Sequence, residues 1–344
     1  MKLLILTQKV DKNDPILGFF HRWVEEFAKH CEQIIVICLQ KGEYRLPANV
    51  RVLSLGKEKL QALKKFWYIL NFFRYIWQER KNYNSVFVHM NQEYVLLAGW
   101  WWRLLGKKVM LWRNHHSGNW LTDLAALFCD KIFCTSRYSF TAKYKKTTLM
   151  PVGVDTEFFK PDPVINITPR SVLFLSRIAP VKKPEVLIKS LKILQKDGID
   201  LIANFYGDAL PQFLPYYQRI KKSAPKNIFF HRGVPNDQTV KIYRQHQVFV
   251  NLSSSGMYDK TIFEAASCGV LSLSSNKNLL GEIDPRLIFR ENDAMDLATK
   301  IKVLMTLPDK ERQKMRVELR SYVIKRHSLK LLVQELFGIK HASI

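Results

Sequence analysis

Two cations five residues apart, Arg177 and Lys182, follow the apolar run Val172–Leu175 and precede the helix-forming stretch Pro184–Lys196. A loop at the carboxyl end of a strand can aim both at one anion. Arg grips phosphate oxygens through its planar fork, and Lys acts as a point charge. The competing reading is a solvated basic loop. The second constellation is Asn251–Gly269, with the sequence NLSSSGMYDKTIFEAASCG. It reads as a strand end, a loop of small residues, and a helix with Asp259 as its N-cap. The helix start, with Lys260 and Thr261, offers free backbone N–H groups and the positive end of a dipole, a seat for phosphate. Glu264, one and a half turns in, can accept hydrogen bonds from ribose hydroxyls. The alternative is an ordinary capped helix with a solvated Glu264, although Ala265, Ala266 and Cys268 argue for tight packing.

The elements that must hold these residues alternate. Lys2–Thr7, Gln33–Leu39, Val50–Leu53, Val86–His89, Val109–Trp112 and Lys131–Thr135 are short apolar runs that read as strands. Phe19–His30, Gln61–Gln78 and Leu121–Phe128 show helical spacing between them. A pause follows Met150-Pro151-Val152-Gly153-Val154-Asp155, and Phe159–Arg170 holds three prolines without periodicity, which places the boundary there. A second alternation runs Val172–Leu175, Pro184–Lys196, Leu201–Tyr206, Phe213–Ser223, Ile228–His231, Asp237–Gln245, Val248–Leu252, Thr261–Cys268 and Val270–Ser274, with helices to the end. The expected fold class is α/β: two doubly wound Rossmann-like domains of parallel strands, facing each other across a cleft. The domains are expected at 1–158 and 159–320, with a C-terminal helix at 321–344 returning to the first.

The chain has 344 residues, enough for two domains of roughly 100–200 residues each. The apolar run Val95–Trp102 ends at Arg103, short of the ~20 residues a membrane span needs, and no secretory leader is expected. Five scattered cysteines without a CxxC pair read as reduced, buried thiols of a cytosolic protein rather than a zinc site. The net charge is +24, with 24 basic and 11 acidic residues in 1–150 and a similar excess beyond. Such a surface attracts nucleic acid, anionic lipid or phosphorylated substrates.

Three segments, in this order and over 120 residues, resemble the retaining glycosyltransferases of family 4, which have the GT-B fold. They are Met150–Phe159 (MPVGVDTEFF), Ser176–Ile188 with its Arg-x4-Lys, and Ser253–Gly269 ending FEAASCG. The resemblance implies that Arg177 and Lys182 hold the donor diphosphate and stabilise the leaving nucleotide, without a metal or other cofactor. It implies that Glu264 is the second Glu of an E-x7-E element and binds the donor ribose. The first Glu position holds Gly256, so the grip on the sugar passes to Asp259 and Lys260 or is impaired. His115, in Arg113-Asn114-His115-His116 beyond a strand, is implied as catalytic beside the donor sugar. Gly18 matches a backbone approach to the donor, and Gly207 joins the donor-binding set. His21, His89 and Asn91 are further acceptor-side candidates. The reaction implied is transfer of a sugar from a nucleotide-diphosphate sugar to a hydroxyl of a glycan or lipid-linked acceptor in cell-envelope polysaccharide synthesis, with retention.

The Gln61–Gln78 stretch carries one polar stripe (Gln61, Lys64, Tyr68, Asn71, Tyr75, Gln78) and an otherwise aromatic surface, among many Lys and Arg. A basic aromatic helix can lie on an anionic membrane at the cytoplasmic face. The alternative is a helix buried on two sides. Two other classes compete with the enzyme: a catalytically impaired nucleotide-sugar binder, raised by Gly256, and a basic nucleic-acid-binding protein, which lacks RNP, zinc or helix-turn-helix signatures.

Overall fold

The computed structural model describes residues 1–58 and 64–339. Two compact units divide the chain. One holds Met1–Met150 with Pro235–Asp237 and Val333 onward; the other holds Pro151–Val234 and Gln238–Leu332.

The first unit runs β1 (Lys2–Val10), α1 (Gly18–Ala28), β2 (Gln33–Lys41), β3 (Val50–Ser54), α2 (Lys64–Gln78), β4 (Ser85–His89), α3 (Glu93–Leu104), β5 (Lys108–Trp112), α4 (Trp120–Phe128), β6 (Lys131–Cys134) and β7 (Thr147–Leu149). These strands form one parallel sheet in the order β3-β2-β1-β4-β5-β6-β7. Helices on both faces bury it, so Leu3 to Leu6 are all inaccessible. Side chains alternate between faces. Leu4, Leu6, Ile35, Val86 and Val88 share a core with Phe72 and Ile76 of α2 and Trp102 of α3.

The second unit runs β8 (Thr168–Leu175), α5 (Pro184–Lys196), β9 (Ile202–Tyr206), α6 (Leu214–Ser223), β10 (Ile228–His231), α7 (Thr239–Arg244), β11 (His246–Asn251), α8 (Lys260–Ser267), β12 (Leu271–Ser274), α9 (Ala294–Thr306), α10 (Asp309–His327) and the first turn of α11 (Leu329–Phe337), whose residues from Val333 belong to the first unit. Its parallel sheet has the order β10-β9-β8-β11-β12. The proline-rich stretch 159–170 belongs to this unit, where Phe159 is buried in the core. At the other end, Phe337 meets Phe27 of α1 edge-on at 5.5 Å, within the first unit.

The five cysteines are buried and free, and no described helix is long and apolar enough to cross a membrane. Two elements differ from pattern expectation. The apolar run Val95–Trp102 lies inside α3, a helix apolar around much of its surface. In α2 the polar stripe faces inward: Tyr68, Asn71 and Tyr75 are half-buried beside Phe72 and Ile76, and Asn71 Nδ2 donates to Leu55 O at 3.2 Å. The aromatic side is exposed, with Phe66 and Trp77 each 58 % accessible, so this helix is not buried on two sides. Gln61–Leu63, the expected start of that helix, lie outside the described residues.

Candidate functional site

The strand order of the second sheet reverses between β8 and β11. In open α/β sheets ligands bind beyond the carboxyl ends of the strands at such a switch point. The loop leaving β8 carries Arg177 and Lys182; the loop leaving β11 leads to Asp259 and α8. Lys182 Nζ donates to Asp259 Oδ2 at 2.5 Å and to Ser253 Oγ at 2.9 Å. Ser253 Oγ donates to the same carboxylate oxygen at 2.9 Å. The other oxygen accepts from Thr261 Oγ1 at 3.0 Å and from Thr261 N, which makes Asp259 the N-cap of α8. Burial would raise the Asp259 pKa, but the Lys182 charge and these hydrogen bonds outweigh it and hold the carboxyl far below the usual range. Arg177, on the same loop as Lys182, is exposed and makes no ion pair among the described residues.

Neighbouring strands fix the β8 loop. Ser176 N donates to Tyr206 O and Ile178 N to Asp208 O, each at 3.0 Å. Between those acceptors sits Gly207 at φ +152°, where a Cβ would lie 1.9 Å from Ser176 O. Glycine is required there because the two backbones touch. Lys183, at φ +50°, turns the chain into α5 and pairs with Glu291 at 2.7 Å.

Two other residues expected at the donor face elsewhere. Lys260 Nζ turns to the carbonyls of Val152 (2.9 Å) and Gly153 (2.7 Å), fastening the MPVGVD segment to α8. Its ammonium thereby satisfies two carbonyls of a loop that has no ladder of its own. Glu264 is 2 % exposed and accepts from Tyr243 Oη at 3.1 Å. Burial and this carboxylate push the Tyr243 phenol well up.

In the first unit Gly18 opens α1, its N–H donating to Asp14 O at 2.9 Å, and a Cβ there would come within 2.9 Å of Lys12 O. His21 is buried and its Nε2 accepts from Arg45 N at 3.0 Å. His89 is buried at the end of β4, stacked on Phe20 at 4.1 Å with Thr7 Oγ1 3.2 Å from its Nδ1. Both are packed into the fold and do not join His115. Asn91 starts the turn into α3, its carbonyl accepting from Tyr94 N. His115 lies beyond β5 and lines a cavity of about 330 Å3 with Met90 and Gln92 from the end of β4. Its Nδ1 sits 2.9 Å from Ser117 Oγ and 3.1 Å from Ser117 N. Partial burial lowers its pKa, opposed by Ser117 and aided by His116 and Arg113, so the ring is neutral at pH 7. Met90 has φ +71°, a left-handed conformation that a non-glycine residue holds only where its surroundings impose it. Its N–H donates to Trp112 O at 2.7 Å.

Residues 155–322 match the model of a family described as glycosyl transferases group 1. The matched region is 168 of the chain's 344 residues, just under half. A phosphatidylinositol N-acetylglucosaminyltransferase component of Arabidopsis thaliana is 25 % identical over 167 residues, 47 % of this chain and 37 % of that protein. YtcC of Bacillus subtilis is 28 % identical over 119 residues, 33 % of this chain and 29 % of its own length. The aligned regions thus span 37 % and 29 % of these curated relatives. HepE of Anabaena, solved with UDP and glucose, superposes with a TM-score of 0.77 over 98 % of both chains at 15 % identity. The fold is GT-B.

Within the matched region, the switch-point loops carry Arg177, Lys182 and Asp259, the residues the sequence reading expects there. Ser253, which binds both members of the Lys182–Asp259 pair, is not singled out by sequence, because it is one of three consecutive serines and only the fold selects it. Gln92 and Arg113, which line the first-unit cavity, also escape a sequence reading. The one signal is that Arg113 directly follows an apolar strand.

Proposed function

We propose that the chain is a retaining glycosyltransferase of family 4 that moves a sugar from a nucleotide-diphosphate sugar to a hydroxyl acceptor, with the donor diphosphate at the loops after β8 and β11. The observation that carries this reading is the placement of Arg177 and Lys182 at the switch point of the sheet, within the region that matches the group 1 model. Arg177 is the exposed cation available to a diphosphate. Lys182, held by Asp259 and Ser253, supplies the second charge from a fixed position. Both favour a leaving group whose negative charge grows in the transition state, and fixed charges do so without reorganising. The acceptor oxygen forms a bond to the anomeric carbon as the bond to the diphosphate breaks on the same face. The departing phosphate oxygen, next to the incoming hydroxyl, takes its proton. No metal is needed when two protein cations hold the diphosphate.

In this reading Asp259 and Lys260 position the loops, Thr261 presents the start of α8, and Glu264 meets the ribose once the donor draws it from Tyr243. HepE was solved with UDP and glucose, which makes UDP-sugars the first donors to test. The exposed aromatic side of α2 supports an acceptor at a membrane: Phe66, Trp67, Phe73 and Trp77 face outward, and Arg80 lies over the Trp77 ring at 4.3 Å. Aromatic and basic side chains together favour an anionic lipid surface on the cytoplasmic side. Glycan and lipid-linked acceptors both fit this placement.

Gly256 at the position of the first family Glu favours a second reading, a binder of nucleotide sugars with impaired transfer. Nucleotide release from UDP-, GDP- and ADP-sugars, with and without a lipid-linked acceptor pool, separates the two. Acceptor-dependent release supports the enzyme, and Arg177→Ala is expected to lower kcat about 100- to 1,000-fold. Wild-type turnover in Arg177→Ala contradicts the assignment, and binding without acceptor-dependent release supports the second reading.

A further inference from the structure

β11 and β12 run side by side with Asn251 opposite Ser274, so the loops leaving their carboxyl ends start as neighbours. The β11 loop, 252–259, lies between strand and helix, and its irregular backbone must find partners outside any ladder. Four of its residues, at alternate positions, are held from two sides. From the β8 loop, Lys182 Nζ binds Ser253 and Asp259. From the β12 loop, Lys277 N donates to Ser255 Oγ at 2.8 Å, Asn278 Nδ2 to Ser255 O at 2.9 Å, and Asn276 Nδ2 to Met257 O at 2.8 Å. Asn278 also donates to Asn276 Oδ1, from Nδ2 at 2.7 Å and from its backbone N at 3.1 Å, so the two amides act as one unit. Asn276 is inaccessible and Asn278 is 4 % exposed. Burying an amide is unfavourable unless its polar ends are bonded. The orientation of each amide follows from its partner, because Ser255 O and Met257 O only accept and each must face an NH2 group. Gly256 lies between these two gripped carbonyls. Glycine loses more conformational freedom on ordering than any other residue, so its flanks are where outside contacts do most to fix the loop.

We propose that Asn276 and Asn278 are positioning residues: they fix the β11 loop and, through Ser253 and Asp259, hold Lys182 where it meets the donor diphosphate. The loop-fixing role stands on these contacts alone; the diphosphate role rests on the transferase reading above. Both side chains are buried and act only through the loop. A cation whose partners are already fixed binds an anion without reorganising, and that advantage is lost when the partner loop moves. Leucine at either position leaves a loop carbonyl without its amide donor, and aspartate sets oxygen against oxygen.

The test compares wild type, Asn276→Leu and Asn278→Leu with Asn227→Leu, all in the full chain. Asn227 Nδ2 donates to Leu201 O at 2.6 Å, the same kind of contact at the amino end of the sheet, away from these loops. Hydrogen exchange of 253–259 is expected to quicken about ten-fold in Asn276→Leu and Asn278→Leu and to match wild type in Asn227→Leu. Calorimetric titration with UDP, GDP and ADP reads the consequence. The affinity of whichever nucleotide binds wild type falls about ten-fold in Asn276→Leu and Asn278→Leu and is retained in Asn227→Leu, although all three lower the melting temperature. The loss passes through Lys182, so Asn278→Leu added to Lys182→Ala lowers affinity little further. Exchange at 253–259 equal to wild type overturns the loop-fixing role; if a leucine variant does not fold, the same result in Asn276→Asp or Asn278→Asp does so. Faster exchange with unchanged nucleotide affinity, an equal loss in Asn227→Leu, or a fully additive loss with Lys182→Ala overturns the diphosphate role and leaves the transferase reading intact. Wild type that binds none of the three nucleotides removes the transferase reading, while quickened exchange still upholds the loop-fixing role.

Discussion

Asp259 commits both carboxylate oxygens to protein groups: Lys182 and Ser253 on one, Thr261 on the other. Its role is therefore to hold Lys182 and start α8, and a donor contact by Asp259 would have to break those bonds. Replacing it by Asn leaves the Lys182 ammonium, whose side chain is 12 % exposed, without its counter-charge. Breaking a buried pair from one side costs about 3–5 kcal/mol. Asp259→Asn is thus expected to lower the melting temperature, and a nucleoside diphosphate is expected to raise it more in the variant than in wild type, since phosphate replaces the lost carboxylate. Equal ligand-induced shifts in thermal denaturation would count against a diphosphate on Lys182. Gly207 is a second residue-scale test. A methyl group 1.9 Å from Ser176 O forces the β8 loop to move, so Gly207→Ala is expected to lose both melting temperature and nucleotide affinity, and unchanged values for both would refute the close approach.

At the scale of elements, α8 is anchored from three directions. Lys260 ties it to Val152 and Gly153; Ser267 Oγ donates to Phe159 O; and Arg320 of α10 donates to Ser267 O and Phe159 O. The end of α10 adds His327, whose Nδ1 accepts from Val152 N at 3.4 Å while its Nε2–H donates to Tyr322 Oη at 3.1 Å. Burial, with Arg326 nearby, lowers its pKa to about 3. The unfolded chain takes up this proton below its ordinary pKa near 6.5 and the folded chain does not. Stability from this group is therefore full above about pH 6.5 and falls as the pH drops toward 3, by up to about 1.4 kcal/mol per pH unit. His327→Asn is expected to flatten that acid slope in denaturant titrations between pH 7 and 5; parallel slopes would contradict a neutral buried ring. Elements of this kind were unequally legible. Pro184–Lys196 and Ile228–His231 are read to the residue, because a proline at N1 and a clean apolar run mark them. α3 is not, because EYVLLAGWWWRL is apolar around most of its circumference and leaves no period to read. The facing of α2 is also hidden, since aromatic residues outnumber the positions its core can take. At the switch point, residue types and spacing single out Arg177, Lys182 and Asp259, and the fold places all three on the loops after β8 and β11. That Gln92 Oε1 and Arg113 Nη1 are buried without a partner among the described residues is visible in three dimensions alone.

For the whole molecule, a charge of +24 is combined with exposed aromatic side chains on α2. On the first unit, Trp100 and Leu104 of α3 and Leu127 of α4 are also exposed, at 48 %, 77 % and 66 %. Exposed apolar surface with a basic neighbour, as Arg80 is to Trp77, is the kind of face that can meet a partner or a membrane. The expected outcome is flotation with anionic vesicles at low salt, weakened by added salt and reduced at least ten-fold by Trp67→Glu with Trp77→Glu. Absence of binding at low salt would remove the membrane placement and leave the donor site untouched. That donor site is the central claim, and titration of the full chain with UDP, GDP and ADP tests it most directly. One of the three is expected to bind wild type with its affinity reduced at least ten-fold in both Arg177→Ala and Lys182→Ala. Failure of all three to bind wild type, or equal affinity in wild type and the two variants, would contradict a nucleotide diphosphate held at the loops after β8 and β11.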